Sequence, residues 1–308
     1  MAKMPTKERV SGESAAGIDE LRAVGEELDA DEYPRVGTGG LVLPGACRAD
    51  VNEPGQERDH VNHAEAGATR PEAGQGQRTT DRDTASEGAE ARLLGLPGLS
   101  EELAHDLAGA LAANPSMCVR VAPPLVWILT KIHPIAGLPD QALILTVLPI
   151  SPGAAMEAGH PFASWAWWEL GVWVGPRHTN PGNGSICSFE PSHGTWRRGD
   201  PILTLLDIHA VWIARQLHLR LLGRWPGDQV IHTAYERLRD QRPGEMCGCG
   251  SMRLYAECHE PFDRARTPYD LYIEFRQKWP NPIRRPPPSA WAEFSKFMRA
   301  PQFESAAA

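Results

Sequence analysis

The sequence predicts an α+β fold in which helices flank an antiparallel sheet. Four apolar stretches of strand length follow one another between residues 117 and 174, separated by Pro, Gly and Asp turn residues. A helix is predicted before these strands, and a longer helix after them has apolar residues at every third or fourth position. This order of elements indicates one main domain over residues 92–243.

Residues 1–91 are predicted to form a disordered acidic tail. The first ninety residues carry 19 acidic and 10 basic side chains, and Tyr33 is the one aromatic among them. A segment of this composition buries too little apolar surface to offset its conformational entropy. Residues 41–43 form an apolar run in it, which is either a short docking segment or a chance cluster.

The first helix of the main domain is predicted to begin at Ser100 and to end near Ala113. Ser100 can cap it, and Glu101 and Glu102 would complement the helix dipole in the first turn. The pair Asn114-Pro115 ends it, because a residue before proline is pushed out of helical geometry.

Four strand-forming stretches follow, at residues 117–121, 125–132, 142–150 and 165–174. They are predicted to be neighbouring antiparallel strands, since they are rich in Val, Ile, Leu and Trp. The last stretch is dense in indoles, and alternate positions would line one strand face. A sheet face in the core is the favoured interpretation, and a partner-binding surface is the alternative. The indoles belong to Trp165, Trp167, Trp168 and Trp173.

The longest predicted helix begins at Asp200, a capping carboxylate followed by Pro201 at the first helical position, and stops at Gly223. His209 lies on its apolar stripe and is expected to be a hydrogen-bonded core residue rather than a catalytic one. A further helix is predicted over residues 229–241. The stripe consists of Ile202, Leu205, Leu206, His209, Trp212, Ile213 and Leu217.

Between the strands and this helix, residues 177–196 form a loop rich in Gly, Pro and Asn, with Cys187 in its middle. His178 and Asn180 precede the cysteine by nine and seven positions, and Asn183-Gly184-Ser185-Ile186 leads directly into it. Such a loop can hold a thiol in a fixed place. We therefore expect Cys187 to be a functional thiol.

This stretch resembles the active-site loop of ubiquitin-conjugating enzymes, in which a His-Pro-Asn turn leads through an Asn-Gly-x-Ile step into the thioester cysteine. Thr179 stands where that family has proline, and the spacing from asparagine to cysteine is one residue shorter. The resemblance implies a ubiquitin-conjugating-like fold for residues 92–243.

The resemblance also implies an activity. Cys187 would carry the C-terminus of a ubiquitin-like or other small protein as a thioester and pass it to an amine of an acceptor protein. Asn180 would stabilise the oxyanion or brace the loop, His178 would hold the loop by hydrogen bonds, and Trp196 would pin the loop to the next helix. A separate activating enzyme is expected, and bacterial relatives suggest an antiviral defence operon.

Cys247, Cys249, Cys258 and His259 form a second motif, in which a Cys-x-Cys pair is followed after eight residues by Cys-His. Three thiolates and an imidazole make a closed tetrahedral set that suits structural zinc and leaves no open catalytic position. Residues 244–262 resemble the small SEC-C zinc module of bacterial proteins. Unmetallated surface residues are the alternative interpretation.

Residues 263–308 are predicted to be a helical extension, with helices at 268–278 and 289–298 around a proline-rich joint. Aromatic anchors at helical spacing require a docking surface, either the main domain or a partner protein. The anchors are Tyr269, Tyr272, Phe275, Trp279, Trp291, Phe294 and Phe297.

Composition narrows the partners and the compartment. No apolar run approaches the roughly 20 residues that cross a bilayer, and the beginning of the sequence lacks the layout of a secretory signal. The crowded cysteines suggest metal ligation in a reducing cytosol. The net charge of -8 argues against direct binding of nucleic acid. We therefore expect a cytoplasmic protein with no membrane or nucleic-acid partner.

Two further functions stay open. The chain could be a non-catalytic adaptor, with a degenerate conjugating fold that recruits partners through its zinc module. It could also be a thiol hydrolase that pairs Cys187 with His178 or His193, although in such proteases the cysteine usually lies at a helix start. Glu190 and His193, just after Cys187, could lower its pKa or assist proton transfer.

Overall fold

The computed structural model describes most of the chain beyond residue 92 and three short segments before it. The described residues are 15–29, 35–37, 40–42, 93–94, 96, 98–133, 141–151, 154, 156, 162–168, 171–189 and 195–299. Their elements are α1 (Ala15–Asp29), β1 (Arg35–Gly37), β2 (Gly40–Val42), α2 (Glu101–Ala113), β3 (Cys118–Ala122), β4 (Leu125–Ile132), β5 (Ala142–Pro149), β6 (Ala163–Trp168), β7 (Val172–Trp173), α3 (Ile202–Leu222), α4 (Ala234–Asp240), α5 (Glu260–Arg264), α6 (Pro268–Lys278) and α7 (Pro288–Met298). This is an α+β architecture, as predicted.

The sheet is a five-stranded antiparallel meander in the order β3-β4-β5-β6-β7. Each strand pairs with its neighbours in the chain, and every residue of β5 is buried. The stretch predicted at residues 165–174 is two strands, because β6 ends at Trp168 and the chain returns at Val172. The continuous apolar run of β5 follows from burial of both sheet faces.

One face of the sheet packs against α2 and α3. Val126, Ile128 and Leu148 meet Leu107 of α2 and Leu205 of α3 in one cluster. A second cluster continues this face towards the end of α3, where Ile144 and Ala166 pack with Ile213. The two helices thus form a layer behind the sheet.

The opposite face is covered by α7. Trp165 and Trp167 are buried there with Ala290, Phe294 and Phe297. The Trp167 ring stacks on that of Phe294 at a centroid distance of 4.3 Å. This confirms the indole-rich stretch as a sheet face in the core and the main domain as a docking surface of the extension. Tyr269 and Tyr272 differ from the prediction, since both are exposed on α6.

The predicted cap of α2 at Ser100 and the predicted end of α3 at Gly223 are confirmed, but the predicted cap of α3 at Asp200 is wrong. Ser100 accepts a hydrogen bond from the Leu103 amide as the cap of α2, and Gly223 ends α3 at φ +77°. Asp200 does not cap α3, because its carboxylate accepts from the Arg197 amide instead. The first amide of α3, at Ile202, donates to the Asp106 carboxylate of α2 at 3.0 Å. A tertiary contact therefore replaces the local cap.

The predicted acidic tail contains a helix, which corrects the prediction for residues 15–29. Leu21, Val24 and Leu28 of α1 are buried against Ala214 and Leu217 of α3. Their spacing of three and four places them on one helical face, a pattern that the average composition of the tail hides. The short hairpin of β1 and β2 includes residues 41–42 of the apolar run. The rest of the predicted tail lies outside the described residues.

The helix predicted over 229–241 is shorter than expected. It spans Ala234–Asp240 and is capped by the Thr233 hydroxyl, which accepts from the Glu236 amide. The preceding residues pair with the Cys/His segment instead, as Ile231 donates its amide to the Gly248 carbonyl at 2.8 Å. Within the described residues, no helix combines the length and the apolar character that crossing a bilayer requires.

Candidate functional site

The loop after β7 folds back on itself so that Cys187 lies beside His178. Thr179 and Ile186 pair as an antiparallel bridge, and the Cys187 amide donates to the His178 carbonyl at 3.0 Å. The Ile186 amide donates to the Ser164 carbonyl of β6 at 2.7 Å. The loop is thereby anchored to the sheet edge on the side where β7 is short.

Thr179 closes the turn at the position where the resembled family has proline. Its hydroxyl donates to the Pro176 carbonyl at 2.7 Å, and the residue is buried. A side-chain hydrogen bond of this kind fixes a turn in the way that a proline ring otherwise does.

Asn180 braces the loop from inside. Its side-chain amide donates to the Ser185 hydroxyl at 2.9 Å and to the Ile186 carbonyl at 3.3 Å. Its backbone amide donates to the Ser185 carbonyl at 2.7 Å. The amide thus holds the peptide group that directly precedes Cys187.

The His178 ring is held by Gln229 and Trp225. His178 adopts φ +54°, its Nε2 lies 3.0 Å from Gln229 Oε1, and its ring lies 3.7 Å from the Trp225 ring centroid. Desolvation, and next the charge of Arg177, lower the pKa of His178 well below its usual value. Gln229 Oε1 also accepts from Arg177, so a neutral His178 donates through Nε2.

Cys187 is half-buried and lines a cleft with His178 and Asn180. The rest of the lining comes from the Cys187 loop itself, from residues before and within α4, and from the extension that leads to α7. These residues are Pro176, Arg177, Thr179, Pro181, Val230, Ile231, His232, Glu236, Asp240, Trp279 and Arg284. The thiol therefore lies at a concave surface rather than in the core.

The wall of the cleft that faces the loop is built around Glu236. Its carboxylate accepts from the Trp279 indole at 3.1 Å and from Thr233 at 2.9 Å, and it forms an ion pair with Arg284. Sequence analysis did not assign Trp279 or Arg284 to the site. The only signal was the run of aromatic anchors around the proline-rich joint, which does not say where the segment docks.

The extension crosses the Cys187 loop directly. The amides of Ile283 and Arg284 both donate to the Pro181 carbonyl, at 2.7 and 3.0 Å. Gly184 has φ +67°, and a Cβ added there would lie 2.5 Å from the backbone of Arg285. The loop and the extension therefore need a glycine at this contact.

Trp196 has the role that the motif implied. Its side chain is buried, and its indole N–H donates to the Pro201 carbonyl, directly before α3, at 3.0 Å. Glu190 and His193, which sequence analysis considered as helpers of Cys187, lie outside the described residues.

His209 is in the core but lacks the partner that was expected. It is fully buried, and neither ring nitrogen has a hydrogen-bond partner among the described residues. Its ring meets that of Phe162 edge-on at 5.7 Å. Desolvation alone lowers the pKa of His209 to about 3.

The structure brings the four predicted metal ligands together. The ligand atoms of Cys247, Cys249, Cys258 and His259 all lie within 4.8 Å of one another, so the cluster could hold a metal ion. Cys249 Sγ lies 3.6 Å from Cys258 Sγ, and Cys247 Sγ lies 3.4 Å from His259 Nδ1. The Ser251 hydroxyl lies 3.2 Å from Cys258 Sγ.

Comparisons of this chain with protein-family models, with curated proteins and with solved structures find no match. The relationship to ubiquitin-conjugating enzymes and to the SEC-C module is therefore a prediction based on the two motifs.

Proposed function

We propose that the chain is a ubiquitin-conjugating-like acyltransferase that carries the C-terminus of a small protein as a thioester on Cys187. The observation that supports this most is the position of Cys187, half-buried on the wall of a cleft and next to the braced Asn180. A thiol must be reachable by an acyl carbonyl to act as a nucleophile.

The proposed reaction has two steps. The Cys187 thiolate attacks the activated carboxyl carbon of the donor, and the new S–C bond forms as the activating group leaves. An acceptor amine then attacks the thioester, a C–N bond replaces the S–C bond, and the amine proton passes to solvent. A separate activating enzyme would supply the donor in its activated form.

The chain's own residues would position the thiol rather than move protons. The neutral His178 ring is engaged with Gln229 and Trp225, so it orients the loop. Asn180 braces the Ile186 peptide group, one bond before Cys187. A hydrolase would need an imidazole directed at the sulfur. These contacts engage His178 elsewhere, and His193 lies outside the described residues.

We propose zinc as the ion at the Cys/His cluster, in a structural role. With Zn–S bonds of about 2.3 Å and Zn–N bonds of about 2.0 Å, a tetrahedral site separates two sulfurs by about 3.8 Å and a sulfur and a nitrogen by about 3.5 Å. The 3.6 Å between Cys249 Sγ and Cys258 Sγ and the 3.4 Å between Cys247 Sγ and His259 Nδ1 are close to these values. Cys258 Sγ is nearer to His259 Nδ1, at 3.1 Å, and all four ligand atoms lie within 4.8 Å of one another. Zinc bound by four protein ligands stabilises the fold without activating water.

The full reaction can be tested with a model donor. A peptide that ends in glycine and is activated as a C-terminal aryl thioester is incubated with the full chain and then with lysine. We expect a peptide–lysine amide to form faster than without protein, and Cys187→Ala to remove the acceleration. Cys118→Ala is the matched control and should keep it. Equal rates with and without Cys187 would leave the adaptor as the better explanation.

A further inference from the structure

The metal cluster and the Cys187 loop are joined by the side chain of Gln229. Its Nε2 donates to the Met246 carbonyl at 2.7 Å, in the residue before the ligand Cys247. Its Oε1 lies 3.0 Å from His178 Nε2 and 3.0 Å from an Arg177 nitrogen. One buried amide therefore spans from the cluster to two loop residues.

Glu245 makes a second connection between the Cys/His cluster and the Cys187 loop. Its carboxylate is fully buried and pairs with Arg177, which directly precedes His178 in the loop. It also accepts from the Trp225 amide at 2.9 Å and the Arg242 amide at 3.1 Å. A buried ion pair with further hydrogen bonds tolerates little displacement, since either charge alone would be left unpaired.

The third connection is through the backbone of the cleft wall. Val230 and Ile231 line the cleft, Val230 pairs with Cys249, and the Ile231 amide donates to the Gly248 carbonyl. A Cβ at Gly248 would lie 2.6 Å from the Ile231 side chain, so the two segments are in close contact. Part of the cleft wall thus continues directly into the segment that holds the ligands.

The segment from Met246 to His259 has little apolar packing of its own. Tyr255 is its one large side chain that is fully buried. In such small modules the bound ion supplies much of the folding free energy. A folded ligand segment would therefore help to hold the Met246 carbonyl and Glu245 in position.

We propose that metal occupancy controls the position of the Cys187 loop, with Gln229 and Glu245 as the positioning residues that transmit it. The metal-free protein would keep its sheet and lose the connections that hold Arg177 and His178. The inference rests on the proposed function in treating Cys187 as the working thiol. Its test measures access to the thiol without any donor, so the two proposals can fail separately.

The test is the rate at which biotin-maleimide alkylates Cys187, followed by peptide mapping, in the full chain with one equivalent of Zn²⁺ and after chelation. We expect alkylation to be about tenfold faster after chelation, because losing hydrogen bonds worth about 1.4 kcal/mol opens the loop by that factor. Cys118 on β3 is the internal control and should keep its rate. An unchanged Cys187 rate, or an equal acceleration at Cys118, would overturn the proposal.

Two matched variants locate the connection. Gln229→Met keeps the side-chain length and cuts one connection while the Glu245 pair remains, so zinc-loaded protein should alkylate at a rate between those of zinc-loaded and chelated wild type. Gln241→Met is the control, because Gln241 donates to the same Met246 carbonyl at 2.8 Å and accepts from Gly248, both on the cluster side. It should keep the tenfold zinc effect. If the two variants show the same zinc effect, Gln229 does not transmit it.

Discussion

His209 is buried with no hydrogen-bond partner among the described residues, which makes it a source of acid sensitivity. The pKa of His209 is lowered to about 3 by desolvation, against about 6.5 in an unfolded chain. Between these two values the unfolded state binds the extra proton, so the free energy of unfolding falls as the pH falls. Above pH 6.5 His209 is neutral in both states, so the free energy of unfolding no longer depends on its titration.

His209→Leu should therefore reduce the dependence of stability on pH. From pH 7 to pH 5 wild type should lose about 2 kcal/mol more of its free energy of unfolding than the variant does. Urea titrations at both pH values measure this. His105→Gln, on the exposed face of α2, is the control and should keep the wild-type dependence. Parallel losses in wild type and His209→Leu would contradict the assignment.

Asn180 acts through the loop, and its variant can separate the two roles that the motif allows. Asn180→Ala removes the donors to Ser185 and Ile186, so Cys187 should be placed less well for both steps. We expect formation of the thioester and its transfer to lysine to slow by similar factors, about tenfold each, as one or two hydrogen bonds are lost. Mass spectrometry of samples quenched at successive times measures the rates of both steps. A loss confined to transfer would indicate an oxyanion role instead.

At the scale of elements, the contact between the Cys187 loop and the extension depends on Gly184. Gly184→Ala should lower the free energy of unfolding by about 2 kcal/mol or more, since its φ of +67° is strained for alanine and its Cβ would meet Arg285. Gly182→Ala is the control in the same loop, where a Cβ meets nothing within 4 Å. Its effect should stay within about 0.5 kcal/mol. Equal effects would show that the extension does not pack there.

Elements with local signals were predictable, and elements set by distant contacts were not. Ser100 and Gly223 terminate their helices because cap residues act on their own backbone neighbourhood. Asp200 looked like an equally good cap, yet Asp106, 96 positions before Ile202, accepts from the first helical amide instead. Residues 229–233 were predicted as part of a helix, but Val230 and Ile231 pair with the backbone of Cys249 and Gly248 instead. The sequence of a segment alone does not show that a distant part of the chain will bond to its backbone.

The residues of the candidate site also divide into those that local sequence signals predict and those that distant contacts bring in. Cys187, Asn180 and the four metal ligands could be found because their spacing along the chain carries the chemistry. Trp279 and Arg284 reach the cleft through the folding of α7 onto the sheet, about a hundred residues away in sequence. Helix α1 was hidden by averaging over an acidic segment.

At the scale of the whole molecule, the sheet is enclosed between α2 and α3 on one face and α7 on the other. The extension therefore completes the core and also carries Arg284 across the loop. Phe294→Ala should lower the free energy of unfolding by about 3 kcal/mol or more, because the ring stacks on Trp167 in a closed cluster. Phe262→Ala, at a ring that is 71% exposed, is the control and should be nearly neutral. Denaturant titration of both variants decides whether α7 belongs to the core.

The Cys187 loop contacts both the residues next to the Cys/His cluster and the C-terminal extension. The shape of the cleft therefore depends on segments that are far apart in the chain. Arg177 and His178 are held by Gln229 and Glu245, and Pro181 and Gly184 contact the extension. Cys187 lies between these two points of support. We therefore expect a chain that ends before the extension to lose the position of the thiol.

The most direct test of the central claim is the site of acylation. The full chain is incubated with the glycine-ending aryl thioester peptide, and the adduct is located by peptide mapping before and after neutral hydroxylamine. We predict a single adduct on Cys187 that hydroxylamine removes, with Cys118 unmodified. An adduct spread over several cysteines at similar rates, or none on Cys187, would contradict the proposed function.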